Sequence, residues 1–429
     1  MDCSKDGVIT FHMGIRDERI AGRLVQRQWR ADLGAYGGRR SRQGFFYDAF
    51  IPDPIADLNP VLPGDVAQAV VEAEHAVRTL NQGPAVQSLE AVARYLLRAE
   101  SVASSQIEGL RITQRRLAEA LFAPDLGDVT ARSVINTITA MEVAVNLGSA
   151  ERPITMMDIQ AIHQTLPNTP EDVAIAGVVR TTQNWIGGRT TSPLGAQFIP
   201  PPPEEIAPLL DDLCVFINRD DLPAVAQAAI THAQFETIHP FAEGNGRVGR
   251  CLIHVVLRRR GLADRYVPPI SVVLATNSRA YIGGLNDYRK GTLAEWCGLF
   301  AAATRTAAHQ AQQLTGQLAD LEAQWWARAG RPRRDSATTR LLALLPAIPV
   351  LSIQTVATAL RVTYPAARQA VENMEKAGVL NQITIGKRNR AWVAKEAFTL
   401  LNAFEWDIAT PDDPDQERRP SPTRGRDAH

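Results

Sequence analysis

The hydrophobic positions along most of the chain recur at intervals of three and four residues, which is the spacing of one face of an α-helix. Segments such as "DVAQAVVEAEHAVRTL", "TARSVINTITAMEVAVNLG" and "AVAQAAITHAQFETIHP" follow this pattern. One stretch departs from it, because "GVVRTTQNWIGGRTTSPLGAQFIPPPP" is rich in β-branched residues and glycine. That composition predicts a β-hairpin. The pattern therefore predicts a mainly α fold that carries a β-hairpin.

The pattern changes after a composition break at "RPRRDS" (331–336). "TTRLLALLPAIP", "SIQTVATALRV" and "YPAARQAVENMEKAGVL" predict three short helices, and "NQITIGKRNRAWVAK" predicts two strands joined by a turn. Three helices and such a wing resemble a winged helix-turn-helix domain. The segment after Trp406 is rich in proline and charge, which predicts a disordered tail.

Composition argues against several classes of protein. The 429 residues are 45% hydrophobic, and 46 basic residues balance 46 acidic ones, so the chain has no overall field for nucleic acid or acidic membranes. No apolar run is long enough for a membrane span, and the N-terminus lacks the apolar centre of a signal peptide. We therefore expect a cytoplasmic protein with no membrane partner. The cysteines are too widely spaced for a disulfide framework or a zinc site: Cys3, Cys214, Cys251 and Cys297.

The densest chemistry lies in "HPFAEGNGRVGR", from His239 to Arg250. Proline and two glycines predict a loop, so His239 and Glu243 do not form a metal pair on one helix face. The Gly-Asn-Gly turn can present backbone N–H groups to an anion at the start of the following helix. Arg247 and Arg250 can contact a polyphosphate, Glu243 can hold Mg²⁺, and His239 can act as a general base.

A plainer interpretation is a helix-capping loop with surface arginines and a core histidine. That interpretation accounts for each residue singly, but it does not explain why glycines and charges cluster within a dozen residues. We therefore interpret the segment as a nucleotide phosphate-transfer site.

The segment also resembles the signature of the Fic family, His-Pro-Phe-x-(Asp/Glu)-Gly-Asn-Gly-Arg-x-x-Arg, at every fixed position. The resemblance implies a Fic-type helical bundle with a β-hairpin flap, and transfer of AMP from ATP to a Ser, Thr or Tyr hydroxyl of a target protein. It implies that His239 takes the hydroxyl proton and that Glu243 binds Mg²⁺. Asn245 and the loop amides would hold the α- and β-phosphates, and Arg247 and Arg250 the β- and γ-phosphates.

Further residues acquire roles from the same resemblance. Gly244 and Gly246 favour adenylyl transfer, because the related Doc-type kinases carry bulkier residues in this loop. Tyr281 corresponds to a residue near the adenine, although Ile282 stands where the family usually has a second tyrosine. Gln234 either lines the nucleotide pocket or packs in the core. The flap that aligns the target segment by strand pairing would include Trp185, Ile186, Gly187 and Gly188.

The upstream stretch "SSQIEG" resembles the family's inhibitory motif, (Ser/Thr)-x-x-x-Glu-(Gly/Asn), with Ser104, Glu108 and Gly109 at its fixed positions. The resemblance predicts that Glu108 pairs with Arg250 and takes the guanidinium meant for the γ-phosphate. The alternative is a helix that ends at Gly109 and carries an exposed glutamate.

The C-terminal module has a local excess of basic residues, with eleven Lys/Arg against four Asp/Glu in residues 331–400. Lys387, Arg388 and Arg390 lie in the predicted wing, where they suit phosphate contact. "YPAARQAVENMEKAG", the helix expected to read bases, is nearly neutral. DNA binding and a structural or protein-docking role therefore both stay open.

These observations divide the chain into six segments. They are a weakly structured leader (1–44), an N-terminal helical region with the inhibitory motif (45–125), a Fic catalytic core (126–310), a linking helix (311–335), a winged helix-turn-helix (336–405) and a disordered tail (406–429).

The leading hypothesis is an autoinhibited protein adenylyltransferase that uses ATP and Mg²⁺ and acts on a target protein, self-modification included. Removal of AMP from a modified target at the same site is the second hypothesis, and transfer of another phosphate-linked group, or phosphorylation, ranks lower. A DNA-binding regulator with a nucleotide-sensing Fic-like domain is the alternative from another class. The sequence leaves a homodimer open.

Overall fold

A computed structural model of the chain describes residues 22–30, 44–82, 89–122, 128–167, 169–189, 191–348, 350–385 and 389–409. The helices within these ranges are α1 (Gly64–Gln82), α2 (Leu89–Ile107), α3 (Gln114–Phe122), α4 (Val129–Gly148), α5 (Met156–Gln164), α6 (Pro170–Val173), α7 (Pro203–Ile217), α8 (Ala224–Ile238), α9 (Asn245–Arg259), α10 (Ile270–Thr276), α11 (Ser278–Arg289), α12 (Leu293–Arg328), α13 (Ala337–Leu344), α14 (Ile353–Leu360), α15 (Tyr364–Lys376) and α16 (Lys395–Ala409). The strands are β1 (Arg23–Trp29), β2 (Phe45–Ile51), β3 (Val350–Leu351), β4 (Asn381–Ile385) and β5 (Asn389–Val393). The prediction of a mainly helical fold is confirmed.

Helix α8 is the centre of the main core. Every one of its residues is buried, and its many alanines let neighbouring helices approach closely. Helix α9 packs beside it and buries most of its length as well. The buried ring of Trp296 donates from Nε1 to the Ala229 carbonyl at 2.8 Å, which fixes α12 against α8. Two consecutive helices in a rigid core therefore carry the loop that joins them.

Part of the predicted leader, residues 23–29, forms a strand of an N-terminal ribbon. Strand β1 pairs antiparallel with β2, from Arg23 opposite Ile51 to Trp29 opposite Phe45. The Trp29 ring stacks on Phe45 and meets Trp185 edge-on at 5.6 Å. The cross-strand and aromatic contacts give this polar segment a partner that its own pattern does not reveal. The rest of the predicted leader lies outside the described residues.

The predicted β-hairpin flap is formed with less strand structure than expected. Ile186 and Phe198 form an isolated antiparallel bridge, with Ile186 N–H donating to Phe198 O at 2.8 Å. Gly187 and Gly188 adopt positive φ angles of 73° and 74° and turn the chain at once. The described flap residues therefore form a loop closed by one bridge, because these glycines and the following prolines interrupt a ladder.

Helix α12 is continuous over 36 residues and crosses the boundary predicted between 310 and 311. Beyond it, α13, α14 and α15 pack with a three-stranded sheet of order β3-β5-β4 around a separate core that includes Trp325. The predicted three helices and two strands are present, whereas the assignment as a winged helix-turn-helix stays a prediction. Lys387, Arg388 and most of the predicted tail lie outside the described residues. Within the described ranges, no helix is long and apolar enough to cross a membrane.

Candidate active site

The loop between α8 and α9 is the centre of the site. His239 ends α8 in the left-handed conformation (φ 51°, ψ 58°), and Gly244 precedes α9 with a φ of 77°. Helix α9 begins at Asn245. The two left-handed residues reverse the chain, so the side chain of His239 and the N-terminus of α9 face the same space.

The Asn245 side chain fastens this loop. Its Oδ1 accepts from the Phe241 N–H and its Nδ2 donates to the Phe241 carbonyl, both at 2.8 Å. The side chain is buried and its polar atoms are taken up, which differs from the predicted phosphate contact. What Asn245 can offer a ligand is therefore its backbone position at the N-terminus of α9.

A cavity of about 400 Å³ opens above this loop. The predicted site residues that line it are Glu108, His239, Glu243, Gly244, Asn245, Gly246 and Arg247. Ser133, His163 and Asp172 line it too, although the sequence analysis did not single them out. The fold therefore brings Glu108 of the predicted inhibitory segment and the motif, which are more than a hundred residues apart, to one cavity.

His239 has the electrostatics of a proton acceptor. Burial, together with the charges of Arg180 and Arg289, lowers its pKa to about 4. Its ring is therefore neutral at physiological pH. Arg180 donates from Nε to the His239 carbonyl at 2.9 Å and so fixes the backbone at this left-handed residue.

Glu236 is a carboxylate that the sequence analysis missed. It lies one helical turn before His239, with its Oε2 3.9 Å from His239 Nδ1, and it is buried. Burial raises the pKa of Glu236 to about 7, against the opposing charge of Arg250. The i, i+3 spacing in "FETIHP" was the available signal.

His163 supports the loop from α5. Its Nδ1 accepts from the Gly177 N–H at 2.8 Å, so Nε2 carries the hydrogen that is donated to the Glu243 carbonyl at 3.0 Å. Its ring stacks on Phe241 with centroids 3.9 Å apart. Burial lowers the pKa of His163 to about 4, which keeps this arrangement neutral. Nothing in the local sequence could have indicated a contact across 80 residues.

Glu108 and Arg250 are in contact, as the upstream motif predicts. Arg250 Nη2 donates to Glu108 Oε1 at 2.8 Å, and Arg250 also donates from Nε to Ser104 Oγ and from Nη2 to the Ser104 carbonyl, each at 2.8 Å. Arg250 is 1% exposed, whereas the Glu108 side chain is 38% exposed at the cavity. Burial alone would raise the pKa of Glu108, but the charge and hydrogen bond of Arg250 lower it below its ordinary value.

The position of the Glu108 carboxylate explains a glycine of the motif. A Cβ added at Gly246 would overlap Glu108 Oε1, because this carboxylate lies against the first turn of α9. An anion therefore occupies the position where the helix N-terminus favours negative charge. Arg247 donates from Nη1 to Ser133 Oγ at 3.1 Å and borders the same space. Gly109, which follows Glu108, has a φ of 82° and turns the chain away after α2.

Two predicted nucleotide contacts lie in the core instead. Gln234 is fully buried, donates to the Asp53 carbonyl at 2.9 Å and accepts from Tyr288 Oη at 2.9 Å. Tyr281 is buried, with its hydroxyl 2.8 Å from His232 Nε2 and 3.4 Å from Arg250 Nη1. Neither side chain lines the cavity. Gln234 thus packs in the core, and Tyr281 contacts Arg250 within the core.

The flap stands beside the motif loop. Asn184 Nδ2 donates to the Phe241 carbonyl at 3.0 Å, and the Arg180 N–H donates to the Pro240 carbonyl at 2.9 Å. Trp185 Nε1 donates to the Arg189 carbonyl at 2.6 Å, which closes the turn at the glycine pair. The predicted flap residues therefore lie next to the cavity without lining it.

Comparison with known proteins agrees with this site. Residues 153–257 match the Fic/DOC family model and residues 67–146 match the Fic/DOC family N-terminal model. The chain is 28% identical over 167 residues to a protein adenylyltransferase fic-1 of Caenorhabditis briggsae, covering 36% of this chain and 30% of that protein. It is 35% identical over 100 residues to a probable protein adenylyltransferase of Aquifex aeolicus (strain VF5), covering 23% of this chain and 29% of that protein. The chain thus spans about a third of the length of these relatives.

Among solved structures, a Fic family protein from Desulfovibrio desulfuricans G20 aligns with a TM-score of 0.48 at 19% identity. The alignment covers 78% of this chain and 97% of that one. The family models, by contrast, cover both halves of the site, with Glu108 in the first matched region and the segment from His239 to Arg250 in the second. Residues 67–146 and 153–257 are therefore similar to the N-terminal region and the Fic domain of Fic/DOC family proteins.

Proposed function

We propose that the protein is an adenylyltransferase that moves AMP from ATP to a Ser, Thr or Tyr hydroxyl of a target protein, itself included, and releases pyrophosphate. One observation carries the proposal: the complete motif folds so that His239, Glu243 and the N-terminus of α9 line one cavity. The names of relatives that are 28% and 35% identical support the same reaction.

The proton step belongs to His239. Its lowered pKa leaves the ring neutral, so it can accept the proton of a hydroxyl that enters beside the flap. The hydroxyl oxygen then bonds to the α-phosphorus of ATP, the bond from that phosphorus to pyrophosphate breaks, and the proton stays on His239.

The phosphate groups belong at the start of α9. The first backbone N–H groups of this helix and its dipole favour an anion there, and Gly246 leaves the helix surface open to it. Arg247 lines the cavity, and Arg250 contacts it through Glu108, which also lines it, so both arginines can neutralise phosphate charge once Glu108 is displaced.

Magnesium fits the donor set, although the described residues contain no group of three or more His, Cys, Asp or Glu side chains that could hold a metal by themselves. Glu243 offers one exposed carboxylate at the cavity. One carboxylate is what Mg²⁺ commonly takes from a protein when phosphate oxygens and waters complete its shell. Bound there, the ion would neutralise charge that develops on the phosphates.

Autoinhibition follows from the Glu108 contact. The carboxylate accepts a hydrogen bond from the guanidinium of Arg250 and fills the space beside Gly246. A terminal phosphate of ATP would need to bind in the same place. ATP must therefore displace Glu108 to bind productively. Removal of AMP is the second candidate, because Glu108 and His239 line the same cavity and could together position a water.

A cytoplasmic location agrees with the thiols of Cys214 and Cys251, which are not joined in disulfides. DNA contact through residues 336–405 and a homodimer stay predictions.

The test uses ATP labelled at the α-phosphate, Mg²⁺ and cell extract with wild type, Glu108→Gly and His239→Ala. We expect labelled protein bands with Glu108→Gly that disappear when His239→Ala is added to it. The same reaction with γ-labelled ATP should leave proteins unlabelled, and γ-label on protein would indicate a kinase. Label lost from pre-labelled target on addition of wild type would favour AMP removal. If Glu108→Gly yields no α-label on protein, the transfer proposal is wrong.

A further inference from the structure

Three side chains along one face of α2 and its end contact α9. Glu100, Ser104 and Glu108 follow one another at intervals of four, so they lie on one face. On α9, Arg250 and His254 are also four apart. Ser104 and Glu108 contact Arg250, whereas the third contact of this series, Glu100 with His254, lies one turn deeper in the protein.

The Glu100–His254 pair is fully enclosed. His254 Nε2 lies 2.9 Å from Glu100 Oε1, and the two side chains are 1% and 0% exposed. Ser271 donates its N–H to Glu100 Oε2 at 2.7 Å and its hydroxyl to Glu100 Oε1 at 2.5 Å. Because a carboxylate only accepts hydrogen bonds, His254 Nε2 carries the hydrogen. A buried polar cluster of this kind is costly to disrupt on one side and fixes one alignment of the helices.

This cluster has no contact with the cavity, so direct ligand binding does not explain it. The position of the cluster relative to Glu108 does explain it. Eight residues of α-helix are about 12 Å long and behave as a rigid rod, so the alignment at Glu100 is transmitted to Glu108. Helix α2 ends at Ile107 and Gly109 turns the chain away, which leaves Glu108 at the tip of that rod.

We propose that the buried Glu100–His254 hydrogen bond sets the position of α2 on α9 and thereby holds Glu108 on Arg250. Release of this remote pair therefore weakens inhibition, although neither residue reaches ATP. Glu100 and His254 are positioning residues in this view. The inference rests on the proposed function, since it concerns regulation of the same site.

Two variants of His254 test the inference through a gain of activity, which general destabilisation would not produce. His254→Leu removes the hydrogen-bond donor, and we expect self-labelling from α-labelled ATP to rise about 10-fold over wild type, in line with loss of a hydrogen bond to a charged group. His254→Gln retains an N–H donor at a similar reach, and it should stay within about twofold of wild type. Added to Glu108→Gly, His254→Leu should give no further increase, because the contact that it weakens is already absent.

The matched control is Ser105→Ala. Ser105 is buried on the same helix, but its hydroxyl donates within α2, to the Ser101 carbonyl at 2.9 Å. It should leave labelling unchanged. Glu100→Gln, which keeps the size of the side chain, serves as a second variant if His254→Leu does not fold, and it should also raise labelling.

ATP binding by equilibrium dialysis separates this inference from the proposed function. In a His239→Ala background, which cannot transfer AMP, His254→Leu should tighten ATP binding about 10-fold. The inference alone is overturned if Glu108→Gly labels strongly while folded His254→Leu and Glu100→Gln both keep wild-type labelling and wild-type ATP affinity. Tighter binding without labelling in any variant would overturn only the transfer reaction. If no variant binds ATP, both the proposed function and this inference are wrong.

Discussion

Replacement of Glu108 by glycine removes the carboxylate that holds Arg250. The pair is a charge-assisted hydrogen bond of 2.8 Å, and Arg250 is buried. Breaking one side of a fully buried ion pair costs about 3–5 kcal/mol, but the Glu108 side chain is partly exposed at the cavity, so solvent reduces that figure. We take about 1.5–3 kcal/mol, the range for a hydrogen bond to a charged group.

That free energy is what ATP must overcome to reach Arg250. Its removal should therefore strengthen ATP binding by about 10- to 150-fold, since each 1.4 kcal/mol is a factor of ten. The assay is the Kd of ATP by dialysis, together with the rate of self-labelling at an ATP concentration below that Kd. Glu108→Gln keeps the side-chain size without the charge and should lie between wild type and Glu108→Gly.

The ATP affinities of the two variants decide whether Glu108 competes with phosphate. If Glu108→Gly and Glu108→Gln both bind ATP with wild-type affinity, the carboxylate does not compete with phosphate. A rise in labelling rate with unchanged ATP affinity would instead mean that Glu108 affects the orientation of bound ATP and not its entry.

Three further predictions concern pH, a helix cap and a close-packed glycine. Since the pKa of His239 is lowered to about 4, kcat/KM of the activated enzyme should be flat from pH 7.5 to 5.5 and fall only as the pH approaches 4; a half-maximal point near 6.5 would contradict this. Asp158 forms a capping box with Thr155 at the start of α5, and its pKa is lowered to about 2, mainly by the hydrogen bond from Arg152. Its stabilisation is therefore complete above about pH 4 and lost as the pH falls towards 2, and Asp158→Ala should lower the free energy of unfolding in urea at pH 7 by about 1–2 kcal/mol, but hardly at pH 2. A Cβ at Gly249 would lie 2.8 Å from Glu236 Oε1, so Gly249→Ala should cost about 1–3 kcal/mol in the same assay. Gly283→Ala, whose Cβ would meet no atom within 4 Å, is the control and should be neutral or stabilising.

The parts of the site that the sequence predicts are those in which the residues are contiguous. Between His239 and Arg250, loop-forming residues and charged residues alternate within one segment, so local rules are enough to place the turn and the start of the helix. The helices of the core were predictable for the same reason, because periodicity is a local property. Glu108 was predictable only through a resemblance, since nothing local connects it to Arg250.

The parts that could not be predicted depend on which helices meet. His163 contacts the motif loop from α5, and Gln234 forms hydrogen bonds in the core with Asp53 and Tyr288. Neither role can be predicted from the neighbouring residues in the sequence. Strand β1 becomes ordered by pairing with β2, across a segment of uninformative composition. The side chain of Asn245 was predicted to be polar and available, but its own backbone loop uses both of its polar ends.

The contacts of Arg250 suit both the inhibition and the catalysis that we propose for it. Its Nε and Nη2 donate to Ser104, and its Nη1 lies 3.4 Å from Tyr281 Oη, so these contacts fix the guanidinium plane from two sides. Only the hydrogen bond to Glu108 faces the cavity. Exchange of that carboxylate for a phosphate oxygen therefore replaces one anion by another on a donor that is already oriented, without rebuilding the site. In the mechanism that we propose, the balance between inhibition and ATP binding depends on how firmly α2 presents Glu108, and we attribute that firmness to the buried pair of Glu100 and His254.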